Sequence, residues 1–367
     1  MKKKQVSEWY SLNEIKKLKC QYNIIFGKRS NGKTYSLLEE AVKNFIDNGK
    51  QSAYLRRYRD DFKGKRGEQV CAGIVASGLV SKLTDGKYNT IIYKSDRWYL
   101  SSYNKEDDTY TTMTEPFMFG FALTQMEHDK STSYPNITII IFDEFLSRVG
   151  YLRDEFLLLM NVISTIVRQR DDVTIYMLGN TVNKYCPYFK EMGLSHIENM
   201  EPGTIDVYTY GESKLKVAVE YCENHNVDGR KSDTYFAFDN PSLQMITGGS
   251  WEIDIYPHLP RKYEYENILF TFFIIFNNAT LQCEVLSFKD CMFLYIHRKS
   301  GEIKYPDKDI IFSEQYDPRP NYYRNIKKGT TTLSKKLGKF FSMEKVFYQD
   351  NEVGEIVRNY LQWCSSN

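Results

Sequence analysis

Short apolar runs alternate with amphipathic segments over the first half of the chain. Residues 22–26 form a mostly apolar, β-prone run short enough to be a buried strand. Residues 137–145 form a nearly continuous apolar run, as expected for a strand buried on both faces of a parallel sheet. The run after residue 26 has helical spacing instead, at Leu37, Leu38, Ala41, Val42 and Phe45. This alternation predicts an α/β domain with a mainly parallel sheet.

A strong amphipathic helix is predicted at residues 155–168, followed by another buried strand at residues 173–178. Its apolar side is expected to carry Phe156, Leu157, Met160, Ile163, Ile166 and Val167. Short alternating runs at residues 88–114 predict a β-meander inserted before the strand at 137–145. The remaining patterns predict a short basic helix at 11–19, a second strand at 52–55, a helix at 68–83 and a hairpin at 203–222.

From Trp251 the pattern becomes strand-rich, with runs at 268–276, 280–288 and 292–297 joined by tight turns. Helices are predicted near 332–341 and 343–362, so this part is expected to be a small α+β unit. Residues 223–250 are polar and rich in turn formers, which is typical of a linker. We therefore predict a first domain at 1–222, a linker at 223–250 and a C-terminal domain at 251–367.

Composition and charge limit the classes of protein to which the chain can belong. A chain of 367 residues that is 42% hydrophobic and 26% charged is globular and favours two domains. The net charge of +2 does not require a polyanionic partner, so any nucleic-acid surface has to be local. Seven cysteines lack metal-binding spacing, which favours reduced thiols in a cytosol-like compartment. The basic start has no signal-peptide pattern and the longest apolar run is too short for a membrane span, so we expect a soluble protein.

The residues after the first strand fit the pattern G-x-x-x-x-G-K-[ST]. They are Gly27, Lys28, Arg29, Ser30, Asn31, Gly32, Lys33 and Thr34. The order strand, glycine-bounded turn, helix is the context in which such a loop presents backbone N–H groups to phosphates. Lys33 is expected to contact the β- and γ-phosphates and Thr34 to ligate Mg²⁺. The alternative is a surface turn that contains a lysine by chance.

Two acids near the end of the strand at 137–145 supply a second candidate motif. Asp143 is placed to hold Mg²⁺ through water, and Glu144 can polarise a water molecule for attack on a γ-phosphate. Acids at an exposed strand end are the simpler alternative. Since both motifs occur on one chain, we predict a nucleotide site that contains both.

Three further polar residues are candidates for the same site. Asn180 follows the strand at 173–178 and can sense a γ-phosphate or orient water, or it is only a turn residue. Arg168 and Arg170 lie near a helix end, where one can act as an arginine finger on a neighbouring subunit, or both can cap the helix. Residues 183–186 resemble the guanine-reading N-K-x-D element but lack its aspartate, which favours ATP over GTP.

A dense group of cations at residues 56–66 also allows two interpretations. It is either a loop that touches a phosphate backbone or a neighbouring subunit, or a solvated charged loop.

Taken in order, the phosphate loop, the IIIFDEF strand, the helix that ends in RQR and the MLGN strand resemble the additional-strand class of P-loop ATPases. With the loop GKRSNGKT and the strand-rich tail, the chain resembles the DNA-encapsidation ATPases of phi29-like bacteriophages, which are related to terminases and ring-shaped DNA translocases. The motifs cover about the first half of the chain, and the tail is similar in architecture only.

That resemblance implies a homo-oligomeric ring, a pentamer in the family, which packages double-stranded DNA at the portal of a procapsid. It implies that Lys33 and Thr34 bind ATP and Mg²⁺, that Asp143 holds Mg²⁺ and that Glu144 activates water. The trans-acting arginine of the family falls on Arg168 or Arg170. Arg29 stands where related terminases place an arginine inside the loop. The expected location is the host cytoplasm and, transiently, the portal vertex, but not the mature virion.

The resemblance also implies an RNase H-like C-terminal domain. The strand at 268–276, which would carry the first metal-binding aspartate of a nuclease, has no acid, so we expect no DNA cleavage. The family uses this region for docking, including to a structural RNA. Five lysines interleaved with aromatic residues would suit RNA or portal contact, or form a solvated helix face: Lys327, Lys328, Lys335, Lys336 and Lys339, with Tyr322, Tyr323, Phe340 and Phe341. The alternatives to a packaging motor are another DNA translocase, a nuclease-active terminase, or a nucleotide-switched interaction module.

Overall fold

A computed structural model describes residues 9–28, 31–128, 132–147, 151–152, 154–180, 186–211, 214–222, 256–259, 262–289, 291–329 and 331–366. Arg29, Ser30, the N-K element at 183–185 and the predicted linker at 223–250 lie outside these residues. The chain divides into two compact units, of which the first comprises residues 1–147, 154–184 and 191–251. The second comprises residues 148–153, 185–190 and 252–367. No helix in the described ranges has both the length and the apolar character needed to cross a bilayer.

The first unit is built on a sheet of ten strands within the described residues. Its strands are β1 (Tyr22–Gly27), β2 (Gln51–Arg56), β3 (Thr90–Lys94), β4 (Arg97–Asn104), β5 (Thr109–Thr112), β6 (Met118–Ala122), β7 (Ile137–Asp143), β8 (Thr174–Asn180), β9 (Thr204–Tyr210) and β10 (Leu215–Tyr221). The helices up to this point in the chain are α1 (Asn13–Lys17), α2 (Lys33–Asn48), α3 (Lys65–Gln69), α4 (Ala72–Ala76), α5 (Leu79–Leu83), α6 (Glu155–Val167) and α7 (Pro187–Glu191). Short 3-10 turns occupy Arg59–Phe62, Leu123–His128 and Ile197–Asn199.

The strand order places the predicted motifs next to one another. It runs β3-β4-β6-β2-β7-β8-β1-β10-β9, with β5 paired to β4. All pairs from β6 to β10 along this order are parallel, and the meander β3-β4-β5 and the β9-β10 hairpin are antiparallel. Strand β8 is inserted between β1 and β7, so the ends of these three strands meet at one edge of the sheet, where ligands bind in such folds. The predicted mixed α/β fold with a large, mainly parallel sheet is confirmed.

The continuous apolar runs are explained by burial on both faces of this sheet. Ile24, Ile25 and Phe26 of β1 are fully buried, as are the three residues 140–142 of β7. Neighbouring residues of a strand point to opposite faces, so a run without polar interruption requires cover on both sides.

The apolar face of α6 differs from the prediction. Leu157 is 60% exposed, and Phe156 and Met160 are only half-buried, whereas Leu159 and Val162 are buried. The helix is apolar around most of its circumference, so its periodicity did not define which side faces the sheet. The helix predicted at 68–83 is instead three short helices, of which α4 and α5 are separated at Gly78 in a left-handed conformation (φ 72°). Strand β6 and helix α7 were not predicted.

The second unit contains a six-stranded sheet in the described residues, in the order β15-β14-β11-β12-β13-β16. Its elements are β11 (Ile268–Phe276), β12 (Ala279–Phe288), β13 (Cys291–Arg298), β14 (Ile311–Ser313), β15 (Tyr322–Tyr323), α8 (Thr332–Ser342), β16 (Val346–Tyr348) and α9 (Asn351–Ser366), with a 3-10 turn at Tyr265–Asn267. The antiparallel succession β11-β12-β13 agrees with the predicted strands. Asn277 and Asn278 both have positive φ, as a two-residue hairpin turn requires.

The last predicted helix begins later than expected. Residues 343–350 were assigned to it, but residues 346–348 form β16, which pairs in parallel with β13. Val346 and Tyr348 are buried by this pairing, so tertiary burial replaces a local helical preference. Helix α9 then packs its buried side, including Val353, Ile356 and Tyr360, on the sheet.

Candidate functional site

The glycine loop lies between β1 and α2 and is shaped by its two glycines. Gly32 has φ 94°, a conformation that side chains with a Cβ rarely adopt. Gly27 lies so close to the end of β10 that an added Cβ would be 2.9 Å from Cys222 Cβ. The loop therefore requires glycine at residue 32 for its backbone conformation and at residue 27 for the close approach to β10.

Lys33 is buried in this loop and is held by neutral acceptors. Its Nζ donates to Lys28 O at 2.7 Å and to Asn31 Oδ1 at 3.1 Å, and it lies 3.4 Å from Gly27 O. In the described part of the chain, Lys33 forms no ion pair with a carboxylate, and burial lowers its pKa. A buried ammonium at a helix N-terminus that lacks a close counter-ion is suited to bind an anion such as phosphate.

Asp143 lies at the end of β7, within reach of the start of α2. Its Oδ2 accepts hydrogen bonds from Thr34 Oγ1 at 3.3 Å and from Tyr54 Oη at 2.7 Å, and its Oδ1 accepts from Glu144 N–H at 3.0 Å. A hydroxyl and a carboxylate side by side are hard oxygen ligands of the kind Mg²⁺ prefers. The two side chains therefore fit a Mg²⁺ ion bound with phosphate, although they come from residues far apart in sequence.

Glu144 follows in a conformation that is uncommon for a residue with a side chain, with φ 58°. Its carboxylate is more than half exposed and accepts a hydrogen bond from Arg56 Nη2 at 2.7 Å. Its backbone carbonyl accepts from Arg57 Nη1 at 3.1 Å. Positive φ at a non-glycine residue costs free energy and persists where surrounding contacts hold it, which here include this Arg57 bond.

The arginines at the end of β2 belong to the interior of the unit. Arg57 is buried and forms a bidentate pair with Glu155, with both N···O distances 2.7 Å. Arg56 pairs with Glu144, and Arg59 pairs with Asp96. Neither interpretation of the cationic group at 56–66, a partner-binding loop or a solvated loop, describes Arg56 or Arg57. Apart from Asp61, which lies 3.6 Å from Arg56 Nε, their acidic partners lie far away in sequence, so the sequence pattern alone did not show them.

A cavity of about 260 Å³ joins these elements and is lined by residues 31–35, 143–144 and 178–180. Asn180 is therefore at the same edge as the loop and the two acids. A small polar cavity between a helix N-terminus and the carboxyl ends of β7 and β8 can hold phosphate groups and a cation. Of the predicted site residues, Arg29 and Ser30 lie outside the described part of the chain.

Arg168 and Arg170 do not line this cavity. Arg170 Nη2 donates to Ile137 O at 2.6 Å, at the start of β7 and thus at the opposite end of the strand from Asp143, and Nη1 donates to Pro135 O at 2.9 Å. Arg168 is exposed and donates to Thr132 O at 3.0 Å. Neither arginine can therefore reach the cavity of its own subunit in this conformation.

The segment before α1 also contacts the glycine loop, and its sequence did not indicate this. Tyr10 N–H donates to Asn31 O at 2.9 Å, and Ser36 Oγ donates to Tyr10 O at 2.7 Å. The Tyr10 hydroxyl donates to Glu220 on β10 at 2.6 Å. Burial is the main cause that raises the pKa of Glu220 to about 7. Through Tyr10, these contacts connect the glycine loop to the carboxyl end of β10.

In the second unit, the five lysines of the predicted basic surface are exposed. The aromatic residues between them are half-buried, and Tyr323, Phe340 and Phe341 pack against the core. The predicted interleaving therefore belongs largely to packing. Among the described residues, no group of three His, Cys, Asp or Glu side chains is arranged to hold a metal ion.

Comparison with known proteins shows relationships in sequence and in fold. Residues 115–232 match the model of the podovirus DNA encapsidation protein (Gp16) family. The chain is 28% identical over 175 residues to the DNA packaging protein of Bacillus phage B103, which is 47% of this chain and 48% of the relative. The chain is related to the DNA packaging proteins of phi29-like phages. It thus spans about half the length of the curated relatives that it matches.

Solved structures of packaging motors share the fold. The Phi-28 gp11 DNA packaging motor matches 97% of this chain and 98% of its own chain, with a TM-score of 0.56 and 16% identity. The bacteriophage Phi-29 viral genome packaging motor assembly matches 96% of this chain and 97% of its own chain, with a TM-score of 0.53 and 19% identity. At these identities the likeness concerns the fold alone. The matched family segment contains Asp143, Glu144 and Asn180 but begins after the glycine loop.

Proposed function

We propose that the chain is an ATP-driven motor subunit that moves double-stranded viral DNA into a procapsid. The observation that carries this proposal is the convergence of buried Lys33, Thr34, Asp143 and Glu144 on one cavity at the carboxyl edge of a parallel sheet. The relationship to DNA packaging proteins supports the choice of DNA as the translocated polymer.

The roles of the residues follow from their positions. Lys33 and the backbone of residues 27–34 hold the phosphates of ATP, and Thr34 and Asp143 hold Mg²⁺. When bound, Mg²⁺ neutralises charge on the β- and γ-phosphates. Glu144 orients and polarises the attacking water, and Asn180 contacts the γ-phosphate side of the cavity. Arg56, which pairs with Glu144, has to release that carboxylate for this role.

We further propose that the ring supplies an arginine in trans. Arg168 is the better candidate, since it is exposed and donates one observed hydrogen bond, whereas Arg170 donates to several backbone carbonyls. A cation from a neighbouring subunit would stabilise transition-state charge only when the interface is closed, which couples neighbouring sites. A pentameric ring is the assembly that the family resemblance suggests.

For the second unit we propose an RNase H-like docking module that does not cleave DNA. The β11-β12-β13 meander, with β14 and β15 added in parallel beside β11, supports this fold. Strand β11 contains no acid, and two-metal cleavage needs clustered carboxylates. Portal protein or a structural RNA is the proposed partner of its exposed lysines.

ATP hydrolysis measured with and without duplex DNA tests the motor proposal. We expect DNA to stimulate the wild-type rate and Lys33→Ala and Glu144→Gln to abolish hydrolysis. Lys43→Ala, which alters an exposed lysine of α2 paired with Glu39, is the matched control and should remain active. A wild-type chain that binds ATP but shows no DNA stimulation would instead support a nucleotide-switched interaction module. Cleavage of plasmid DNA with Mg²⁺ or Mn²⁺ would support a nuclease-active terminase.

Mixing variants tests the trans arginine. Subunits with Arg168→Ala are mixed with Glu144→Gln subunits, and the Arg170→Ala variant is mixed in the same way. Restored hydrolysis in the Arg168→Ala mixture relative to either variant alone is the expected result, because an intact arginine then faces an intact site. If neither mixture recovers activity, the assignment in trans is wrong.

A further inference from the structure

Tyr54 lies beneath the candidate cation site. It sits on β2, which pairs in parallel with β7 such that Tyr54 lies opposite Ile141. Paired residues of parallel strands share a face, and every second residue returns to that face. Asp143 is two residues beyond Ile141, so Tyr54 and Asp143 are diagonal neighbours on one face of the sheet.

The contact between them is short, and the tyrosine that makes it is buried. Tyr54 Oη donates to Asp143 Oδ2 at 2.7 Å, and Tyr54 is only 3% exposed. Two aromatic rings hold the Tyr54 ring edge-on, Trp98 at 5.9 Å and Phe62 at 6.4 Å between ring centroids. The phenol hydroxyl is thus held in place to donate its hydrogen bond to the Asp143 carboxylate.

The geometry points to Tyr54 as a positioning residue that holds the Asp143 carboxylate ready for a divalent cation. The role rests on the proposed nucleotide site. Asp143 is anchored on two sides, at Oδ2 by Tyr54 and at Oδ1 by the Glu144 N–H group. Oδ2 also accepts a longer hydrogen bond from Thr34 Oγ1 at 3.3 Å and lies 3.8 Å from Arg56 Nη1. Thr34 is the second proposed ligand of the cation. The cation can therefore displace the Thr34 contact while the Tyr54 bond stays in place.

Partners that orient a metal-binding carboxylate contribute to metal affinity without touching the metal. Their removal typically lowers metal affinity or activity by about 10- to 100-fold. A tyrosine whose hydroxyl only satisfied its own hydrogen-bonding needs would affect folding stability but not the cation requirement of nucleotide binding. This difference separates positioning from a purely structural role.

The test is the Mg²⁺ dependence of nucleotide binding, measured by fluorescence of an ATP analogue on the full chain. Tyr54→Phe keeps the ring and removes only the hydroxyl. We expect the half-saturating Mg²⁺ concentration to rise by about 10- to 100-fold, with binding in EDTA unchanged. Tyr176→Phe is the matched control, since Tyr176 is buried in the same core on β8 and lies opposite Ile141 on its other side. It should titrate like the wild type.

A double-variant cycle gives an independent readout. In an Asp143→Asn background, Tyr54→Phe should cause no further change in Mg²⁺ dependence, because the carboxylate that it positions is absent. Equal Mg²⁺ titrations of Tyr54→Phe and wild type would overturn the inference, as would a full effect of Tyr54→Phe in the Asp143→Asn background. If the wild type itself fails to bind the analogue, the proposed function fails first, and the two failures are thus distinguishable.

Discussion

The buried pair between Arg57 and Glu155 offers a direct test of how the catalytic edge is held together. Arg57 joins the end of β2 to the first residue of α6 through two hydrogen bonds of 2.7 Å. The same guanidinium donates to the carbonyls of Glu144 and Phe145 at 3.1 and 2.9 Å. Replacing Glu155 with alanine removes the carboxylate and leaves the arginine in a site where it is only 7% exposed.

The expected loss follows from the burial of the remaining charge. Removal of one partner of a buried ion pair costs about 3–5 kcal/mol, because the other charge is left poorly compensated. For a domain of this size, such a loss lowers the unfolding midpoint by about 6 to 20 °C. Arg57→Met combined with Glu155→Leu removes both charges, and we expect it to recover at least half of the loss, the rest reflecting the two carbonyl bonds.

Thermal and urea unfolding of the full chain measure these effects. Glu39→Ala is the control, since its partially exposed i,i+4 pair with Lys43 is expected to contribute only about 0.5 kcal/mol. A Glu155→Ala variant as stable as this control would refute the reasoning. A double variant less stable than Glu155→Ala would show that the loss of stability comes from altered side-chain packing and not from the uncompensated charge of Arg57.

Three other predictions concern stability and the loop. The pKa of Glu220 is raised from 4.5 to about 7 in the folded protein, so ionisation of this carboxyl opposes folding. The free energy of unfolding should therefore fall by about 3 kcal/mol between pH 4.5 and pH 8. Glu220→Gln should remove this pH dependence, as measured by denaturant unfolding at a series of pH values. Leu159→Ala should destabilise by about 2–5 kcal/mol in urea unfolding and Leu157→Ala by much less, and equal losses would contradict the observed face of α6. Gly27→Ala should weaken binding of an ATP analogue and lower the free energy of unfolding by about 1–3 kcal/mol, because the added Cβ would crowd Cys222. Unchanged affinity would show that the loop accommodates the added Cβ.

The local motifs were determined by the sequence alone. The glycine spacing, the apolar runs of β1 and β7 and the acids Asp143 and Glu144 follow from patterns within a few residues. The structure places these elements at one edge of the sheet, because parallel strands joined by helices have their carboxyl ends together. Asn180 was predicted in this way and lines the cavity.

Only the tertiary structure decided which side chains hold the acids. Tyr54, Arg56 and Arg57 all come from the end of β2, and Tyr54 reaches Asp143 across 89 residues of sequence. Strand register brings these residues together, and register depends on pairing between distant segments that local patterns do not encode. The same reason explains β16, where pairing with β13 replaced a predicted helix, and the observed face of α6, which is set by the sheet beneath it.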